Sequence, residues 1–409
     1  MNETASSAAC RRPAAAARGS SAWKRIRRPS AVLACAAAAV VVTACSSASG
    51  GGQATTDGSS GPATTNVTIG KAVDTIGFTT VDVARAKGYF AKEGINATED
   101  LLSGSSTAFA ALQSGSVNFV TASSTALLNA RAKGVPIEAV ASMDYGVSLQ
   151  LLVSDSWMKS HGMSANQPLD TVMKKMVGAK LGVISTTDLT YDHYLEQQAG
   201  VDPNKLTYIQ IGSQSAALAG LKYGEIDAFL LSPPSGYFAQ SQGGATVAAT
   251  LHQVPELADM AYDVLVVDTN WAKSHASEVS AVATAIAMAD NAMRSNPQSV
   301  LDTEKQHYPQ MDDSVLLDSL KYVTFATNGL FTGQMWQDAL SEYTGTGGNN
   351  NPSGINIAAN GGVWTNQYIK TSALSGGSAS LASTSSGTER SPEEEIKDSA
   401  VESIIGAGQ

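Results

Sequence analysis

The sequence predicts an α/β fold of two similar lobes, each a mostly parallel sheet flanked by helices. Apolar, strand-like runs alternate with helical patterns from Val67 to about Thr371, a glycine falls just past the helical stretches, and the pattern repeats in the second half of the chain. Alternation of this kind places a largely parallel sheet between layers of helix. Glycine ends the helices because it enters the left-handed conformation beyond a helix terminus without strain. Roughly 300 residues are enough for two lobes with separate cores.

In chain order, Val67 to Val73 reads as a strand, Thr79 to Lys87 as a helix stopped by Gly88, and Ser106 to Gln113 as a helix stopped near Gly115. Val117 to Thr121 is the next strand, Ser124 to Lys133 a helix stopped by Gly134, and Ile137 to Ala141 a strand opened by Pro136. The second half repeats the scheme: strand Lys180 to Ile184, helix Leu189 to Gln198, strand Leu206 to Ile211, helix Ser215 to Tyr223 stopped at Gly224, and strand Ile226 to Leu231. The run from Ala111 to Asn118 echoes the run from Gly220 to Asp227. Duplication produces such an echo, and so does the common helix–glycine–strand turn; both imply two similar lobes.

Tyr145 to Val153 and Tyr262 to Asp268 are extended and apolar, and they read as hinge crossings. The chain then runs through lobe one (67–146), lobe two (147–265) and back to lobe one (266–371), where Val279 to Met293 carries alanine and aliphatic residues at helical spacing. Residues 372–409 read as a disordered tail rich in Ser and Gly. A short helix is expected there after Ser391, with Pro392 and three glutamates in its first turn, and no function is assigned to it.

Residues 1–44 read as an export signal. Seven basic residues precede Ser30 against the single acid Glu3, and an apolar stretch from Ala31 to Ala44 follows, about 14 residues against the roughly 20 that span a bilayer. Val42-Thr43-Ala44-Cys45 resembles the lipobox of bacterial lipoproteins, in which the cysteine is acylated and becomes the new N-terminus. The Gly/Ser/Thr-rich run 45–66 has too little apolar surface to fold and reads as a flexible tether. Cys10 and Cys35 fall in the part removed, so only Cys45 survives and the domain has no disulfide, thiol nucleophile or Cys-bound metal. The first 44 residues hold seven of the 26 Lys and Arg and one of the 36 Asp and Glu, which leaves the remainder near −16. Nucleic acid is therefore not an expected partner.

Several short motifs sharpen the reading: Gly88-Tyr89-Phe90-Ala91-Lys92-Glu93-Gly94-Ile95, Ser103-Gly104-Ser105-Ser106, Leu112-Gln113-Ser114-Gly115, Ala130-Arg131-Ala132-Lys133-Gly134 and Ile226-Asp227-Ala228-Phe229. Together they resemble the substrate-binding proteins of ABC importers, in the branch for nitrate, alkanesulfonates, taurine and thiamine-precursor pyrimidines. The resemblance implies a type II periplasmic-binding fold, a small-molecule ligand, and an ABC permease with its ATPase as partners. The protein would be a monomer held to the membrane by lipid on Cys45, with no cofactor. Delivery to a sensing receptor is the alternative. The fungal thiamine-pyrimidine synthases share the fold, but their cysteine-rich signature is absent.

In open parallel sheets ligands bind beyond the carboxyl ends of strands, where helix N-termini present free N–H groups. Four such loops are read from the sequence. They contribute Asp74, Thr75, Ile76, Phe78 and Thr79, then Ser123 and Ser124, in lobe one; Thr186, Thr187 and Asp188, then Ser232, belong to lobe two. Ser, Thr and Asp at these places also serve as helix caps. Hydroxyls and backbone N–H groups suit a sulfonate or carboxylate, whereas Asp74 or Asp188 suits an amine. No arginine lies in these loops, which weighs against a bare inorganic anion. Phe78, Tyr145, Tyr191 and Tyr237 are candidates for an aromatic wall. Catalysis is not expected: the five histidines stand far apart, and neither a His-Glu-x-x-His pair nor a Gly-x-Ser-x-Gly elbow occurs.

Overall fold

A computed structural model describes residues 64–165, 167–345 and 355–374. The export segment, Cys45, most of the expected tether and the short helix expected after Ser391 lie outside the described residues. Twelve strands are present among those described. They are β1 Thr65–Lys71, β2 Ile95–Leu101, β3 Phe119–Ser123, β4 Ile137–Ser142, β5 Asp144–Tyr145, β6 Gln150–Ser154, β7 Lys180–Val183, β8 Thr207–Gln210, β9 Ala228–Leu231, β10 Ala245–Thr250, β11 Asp263–Asp268 and β12 Thr324–Phe325. The principal helices are α1 Thr79–Ala86, α2 Ser105–Ser114, α3 Ser124–Ala132, α4 Thr186–Ala199, α5 Gln214–Tyr223, α6 Ser235–Gln242, α7 Ala276–Ser295, α8 Gln298–His307 and α9 Gly333–Gly345.

Two five-stranded sheets form the two lobes, in the orders β2-β1-β3-β11-β4 and β8-β7-β9-β6-β10. Corresponding strands occupy corresponding places. Both sheets are mostly parallel, as expected, with four of the five strands in each running the same way and one reversed: β1 pairs in parallel with β2 and β3, and β7 with β8 and β9. β11 and β6 run antiparallel to both of their neighbours. These two strands account for most of the stretches read as hinge crossings. An extended apolar run looks the same in sequence whether it links lobes or lies buried in a sheet, and every residue of β6 is buried, as is Asp263 to Val267 of β11.

The crossings themselves are the links 146–149 and 251–262, which lie side by side. Gly146 N–H donates to Met260 O at 2.9 Å, Val147 N–H to Leu257 O at 3.1 Å and Leu251 N–H to Leu149 O at 2.8 Å. Gly146 has φ +70°, and a Cβ there would sit 2.4 Å from the carbonyl oxygen of Ala258. Only glycine fits where the links touch. The return precedes Asp263, so the lobe boundary expected at 265 falls inside β11.

The echo between 111–118 and 220–227 has a structural counterpart. Gly115 and Gly224 end α2 and α5 at φ +74° and +73°. Asn118 then clamps the first strand of lobe one, its N–H donating to Thr68 O and its Oδ1 accepting the Thr68 N–H at 2.8 Å. Asp227 does the same in lobe two, donating to Lys180 O and accepting the Lys180 N–H at 2.8 Å through Oδ2. One apolar core runs through both lobes, and a smaller cluster of Leu152, Ala217, Leu221, Ile226 and Phe229 packs between α5 and its sheet.

Candidate ligand-binding site

The strand ends of the two lobes face one another across a cavity of about 540 Å³. Its lobe-one wall is built by Asp74, Thr75 and Phe78 after β1, Ser103 to Ser105 after β2, and Ser123 at the end of β3. The lobe-two wall comes from Ser185, Thr187 and Asp188 after β7, Gly212 to Ser215 after β8, and Ser232, Ser235 and Phe238 after β9. Tyr262 and Asp263 close the crossing end, and His307, Tyr308, Gln310 and Met311 add a rim beyond α8.

Local capping sets these loops. Ser123 Oγ accepts the Ala126 N–H at 3.2 Å and starts α3, and Ser213 Oγ accepts the Ala216 N–H at 3.2 Å and starts α5. Ser185 and Asp188 form a reciprocal capping box at α4, in which Asp188 Oδ2 also accepts the Ile184 N–H at 3.0 Å. Each cap satisfies donors that a helix start leaves free, and several such starts converge on one cavity.

The lobes touch directly beside it. Ser123 Oγ and Thr187 Oγ1 are 3.0 Å apart, Thr125 Oγ1 and Tyr191 OH 3.2 Å. Pro233 O accepts from the Ile76 N–H at 2.9 Å and from Thr75 Oγ1 at 3.0 Å. Glu342 of α9 accepts from Thr125 at 3.4 Å in the same contact, and burial pushes its carboxyl up to about 8.

Of the residues selected from sequence, Asp74, Thr75, Phe78, Ser123, Thr187, Asp188 and Ser232 line the cavity. Ile76, Thr79 and Ser124 are buried behind the wall, and Thr186 is the first residue of α4. The expected aromatic wall is largely different. Tyr191 is buried between the lobes, Tyr145 accepts the Thr327 N–H at 2.8 Å, and Tyr237 stacks on Tyr322 at 5.7 Å, all away from the cavity. The aromatic residues lining it are Phe78, Phe238, Tyr262 and Tyr308.

Sequence reasoning missed the crossing end at Tyr262 and Asp263, which lies in a stretch read as a hinge, and three further parts of the wall. The Ser103–Ser105 turn follows β2, whose polar, largely exposed edge hides its strand character. The Gly212–Ser215 turn follows a strand that was read, so the strand-end rule applied there would have found it. His307 and Tyr308 come from a distant helix and carry no local signal.

Among the described residues no lysine or arginine lines the cavity. Burial works against ionisation of Asp74, but hydrogen bonds from His307 Nε2 and Tyr308 OH, both 2.8 Å, outweigh it and hold the carboxyl below its ordinary range. The same bond to Asp74 raises His307. Burial pushes Asp188 up to about 6 against the opposing cap N–H groups, and Asp263 up to about 7. No group of three or more His, Cys, Asp or Glu suited to a metal ion occurs among the described residues.

A family model described as NMT1/THI5 like matches residues 75–300, more than half of the chain. The chain belongs to the NMT1/THI5-like family. The matched span begins in the first cavity loop and ends in α8, so it takes in both lobes. The fold is that of the periplasmic binding proteins. A protein from Bordetella bronchiseptica RB50 is similar at TM-score 0.63 and 18% identity, over 74% of this chain and 95% of its own. The ligand-binding component of an ABC-type import system from Staphylococcus aureus, with zinc bound, is similar at TM-score 0.56 and 15% identity, over 68% and 91%. The alkanesulfonate-binding protein SsuA from Xanthomonas axonopodis pv. citri, bound to MOPS, is similar at TM-score 0.55 and 15% identity, over 68% and 90%. No curated protein matches the sequence significantly. Among the described residues no helix is long and apolar enough to cross a membrane.

Proposed function

We propose that this NMT1/THI5-like protein is the solute-binding component of an ABC importer, that it holds a small organic molecule between its lobes, and that lipid on Cys45 keeps it at the outer face of the membrane. The observation that carries the binding reading is the cavity of about 540 Å³ walled by the loops after three parallel strands of each lobe. That volume is in the range of small-molecule sites. The names of the similar Staphylococcus and Xanthomonas structures, a component of an ABC-type import system and an alkanesulfonate-binding protein, support it.

The lining favours a sulfonate-like, zwitterionic or heteroaromatic ligand. Serine-rich helix starts at Ser103–Ser105 and Ser213–Ser215 offer hydroxyls and N–H groups to an oxyanion. Four aromatic residues suit a planar ring. A bare inorganic anion is disfavoured, because no guanidinium or ammonium faces it among the described residues. Binding acts through the lobes: the Ser123–Thr187 and Thr125–Tyr191 contacts exist only while the lobes are together, so a ligand that spans the cavity stabilises that arrangement. Catalysis has no part in this reading, since no cysteine follows Cys45 and the histidines do not cluster.

A thermal-shift screen of sulfonates, taurine, pyrimidines, aromatic acids and nitrate tests it. A ligand at 100 times its Kd adds about 2.7 kcal/mol to the folded state, a shift of several degrees for a chain of this size. No shift with any class would sink the binding reading.

A further inference from the structure

Asp263 opens β11 at the crossing end of the cavity and is 3% exposed. Its Oδ2 has no hydrogen-bond donor among the described residues. Asp144, 0% exposed, lies against it: Asp144 Oδ1 accepts the Asp263 N–H at 2.7 Å, and its own Oδ2 also lacks a donor. Both Oδ2 atoms converge on Gly77. A Cβ on Gly77 would fall 2.0 Å from Asp263 Oδ2 and 3.1 Å from Asp144 Oδ2, so the loop after β1 closes over the two carboxyls only because it has no side chain there.

Two carboxyls this close in a dry site cannot both ionise. The groups facing them do not relieve this. Asp290 of α7, fully buried, adds a third acid near Asp144, and Asp188 and Tyr191 of α4 and the adjacent Tyr262 supply no positive charge. Burial raises Asp144 well above its ordinary range and Asp263 to about 7. Sheet order places the pair far from the Ser103–Ser105 turn. β11 lies three strands from β2, roughly 14 Å at the usual strand spacing, so the cavity has an acidic crossing end and an oxyanion-suited outer end.

We propose that Asp263, backed by the buried Asp144, is the recognition point for a cationic nitrogen of the ligand, and that the nitrogen enters as the Asp263 proton leaves to solvent. Asp144 keeps its proton and directs it at Asp263. One proton leaves and one cation arrives, so the site stays neutral and no unpaired charge is buried. This inference rests on the binding reading above and adds to it the charge of one end of the ligand.

The test uses the full lipoprotein in detergent and matched probes: taurine against ethanesulfonate, and 4-(aminomethyl)benzoate against 4-methylbenzoate, by calorimetry from pH 5 to 8.5. The amine of a pair is expected to bind at least tenfold tighter than its partner at pH 8. Its Kd should fall about tenfold from pH 5 to pH 6 and level off above about pH 7.5, as one proton is displaced below the carboxyl's pKa and none above it. Asp263→Asn should erase both the preference and the slope. Asp144→Asn should keep both the preference and the slope, because the Asn amide donates to Asp263 as the protonated acid does. A slope that persists in Asp263→Asn assigns the titration to Asp188 or His307 and overturns the proposal. If Asp263→Asn does not fold, proton release by the wild-type protein in two buffers of different ionisation enthalpy decides instead, and no release at pH 6 overturns it. Amines and their partners binding alike at every pH would remove this inference alone; no probe or screened compound binding would remove the binding reading with it.

Discussion

Replacing Asp263 by Asn isolates the cost of burying its carboxyl. The folded-state value of about 7 stands roughly three units above the ordinary 3.8, and each unit is worth about 1.4 kcal/mol. Because the folded value is raised, the folded state favours the protonated acid. There is no penalty below about pH 4, stability is lost as pH rises from there through 7, and it is constant above. The full loss is on the order of 4 kcal/mol. Asn has a similar shape, can donate to Asp144 and does not titrate, so the variant lacks this loss. Between pH 5 and pH 8 about two of the three units are crossed, and the stability of Asp263→Asn relative to wild type should therefore grow by about 3 kcal/mol. Urea unfolding at the two pH values, with equal m, measures it. Midpoints of the two proteins that keep a constant separation across that range would show that Asp263 ionises as an ordinary carboxylate, and the account of the pair would be wrong.

Gly77→Ala should destabilise by about 1–3 kcal/mol, since its Cβ would fall 2.0 Å from Asp263 Oδ2; an unshifted urea midpoint would show that the loop gives way without cost. Ser123→Ala and Thr187→Ala, singly and together, should show a coupling near 1 kcal/mol in the affinity of a ligand found by the screen, because their hydroxyls meet across the lobes at 3.0 Å; additive effects would mean that this bond does not contribute to closure. Cys45→Ser should move the protein from the membrane to the soluble fraction, and unchanged retention would remove the lipid anchor from the proposal.

Much of the fold was legible because it rests on local chemistry. Helix stops at Gly115 and Gly224, caps at Ser123 and Ser185, and the alternation of strand and helix all depend on neighbours a few residues apart. The same locality placed seven of the selected residues in the cavity wall, since the strand-end rule needs only the strand and the helix after it. It failed where a residue's surroundings come from elsewhere in the chain. Tyr191 and Tyr237 read as plausible wall and face other partners, and β2 is a polar edge strand that resembles a loop.

The sequence by itself determined a two-lobed α/β chain, its family resemblance and four of the loops that face the cavity, because periodicity, capping and glycine placement act over short distances. Only the tertiary structure decided that β6 and β11 enter the sheets antiparallel, that Asp74 is already engaged by His307 and Tyr308, and that Asp144 meets Asp263 under Gly77. Asp144 and Asp263 are 119 residues apart. Their shared burial, and with it the charge of one end of the cavity, exists only once the chain has crossed between the lobes and returned.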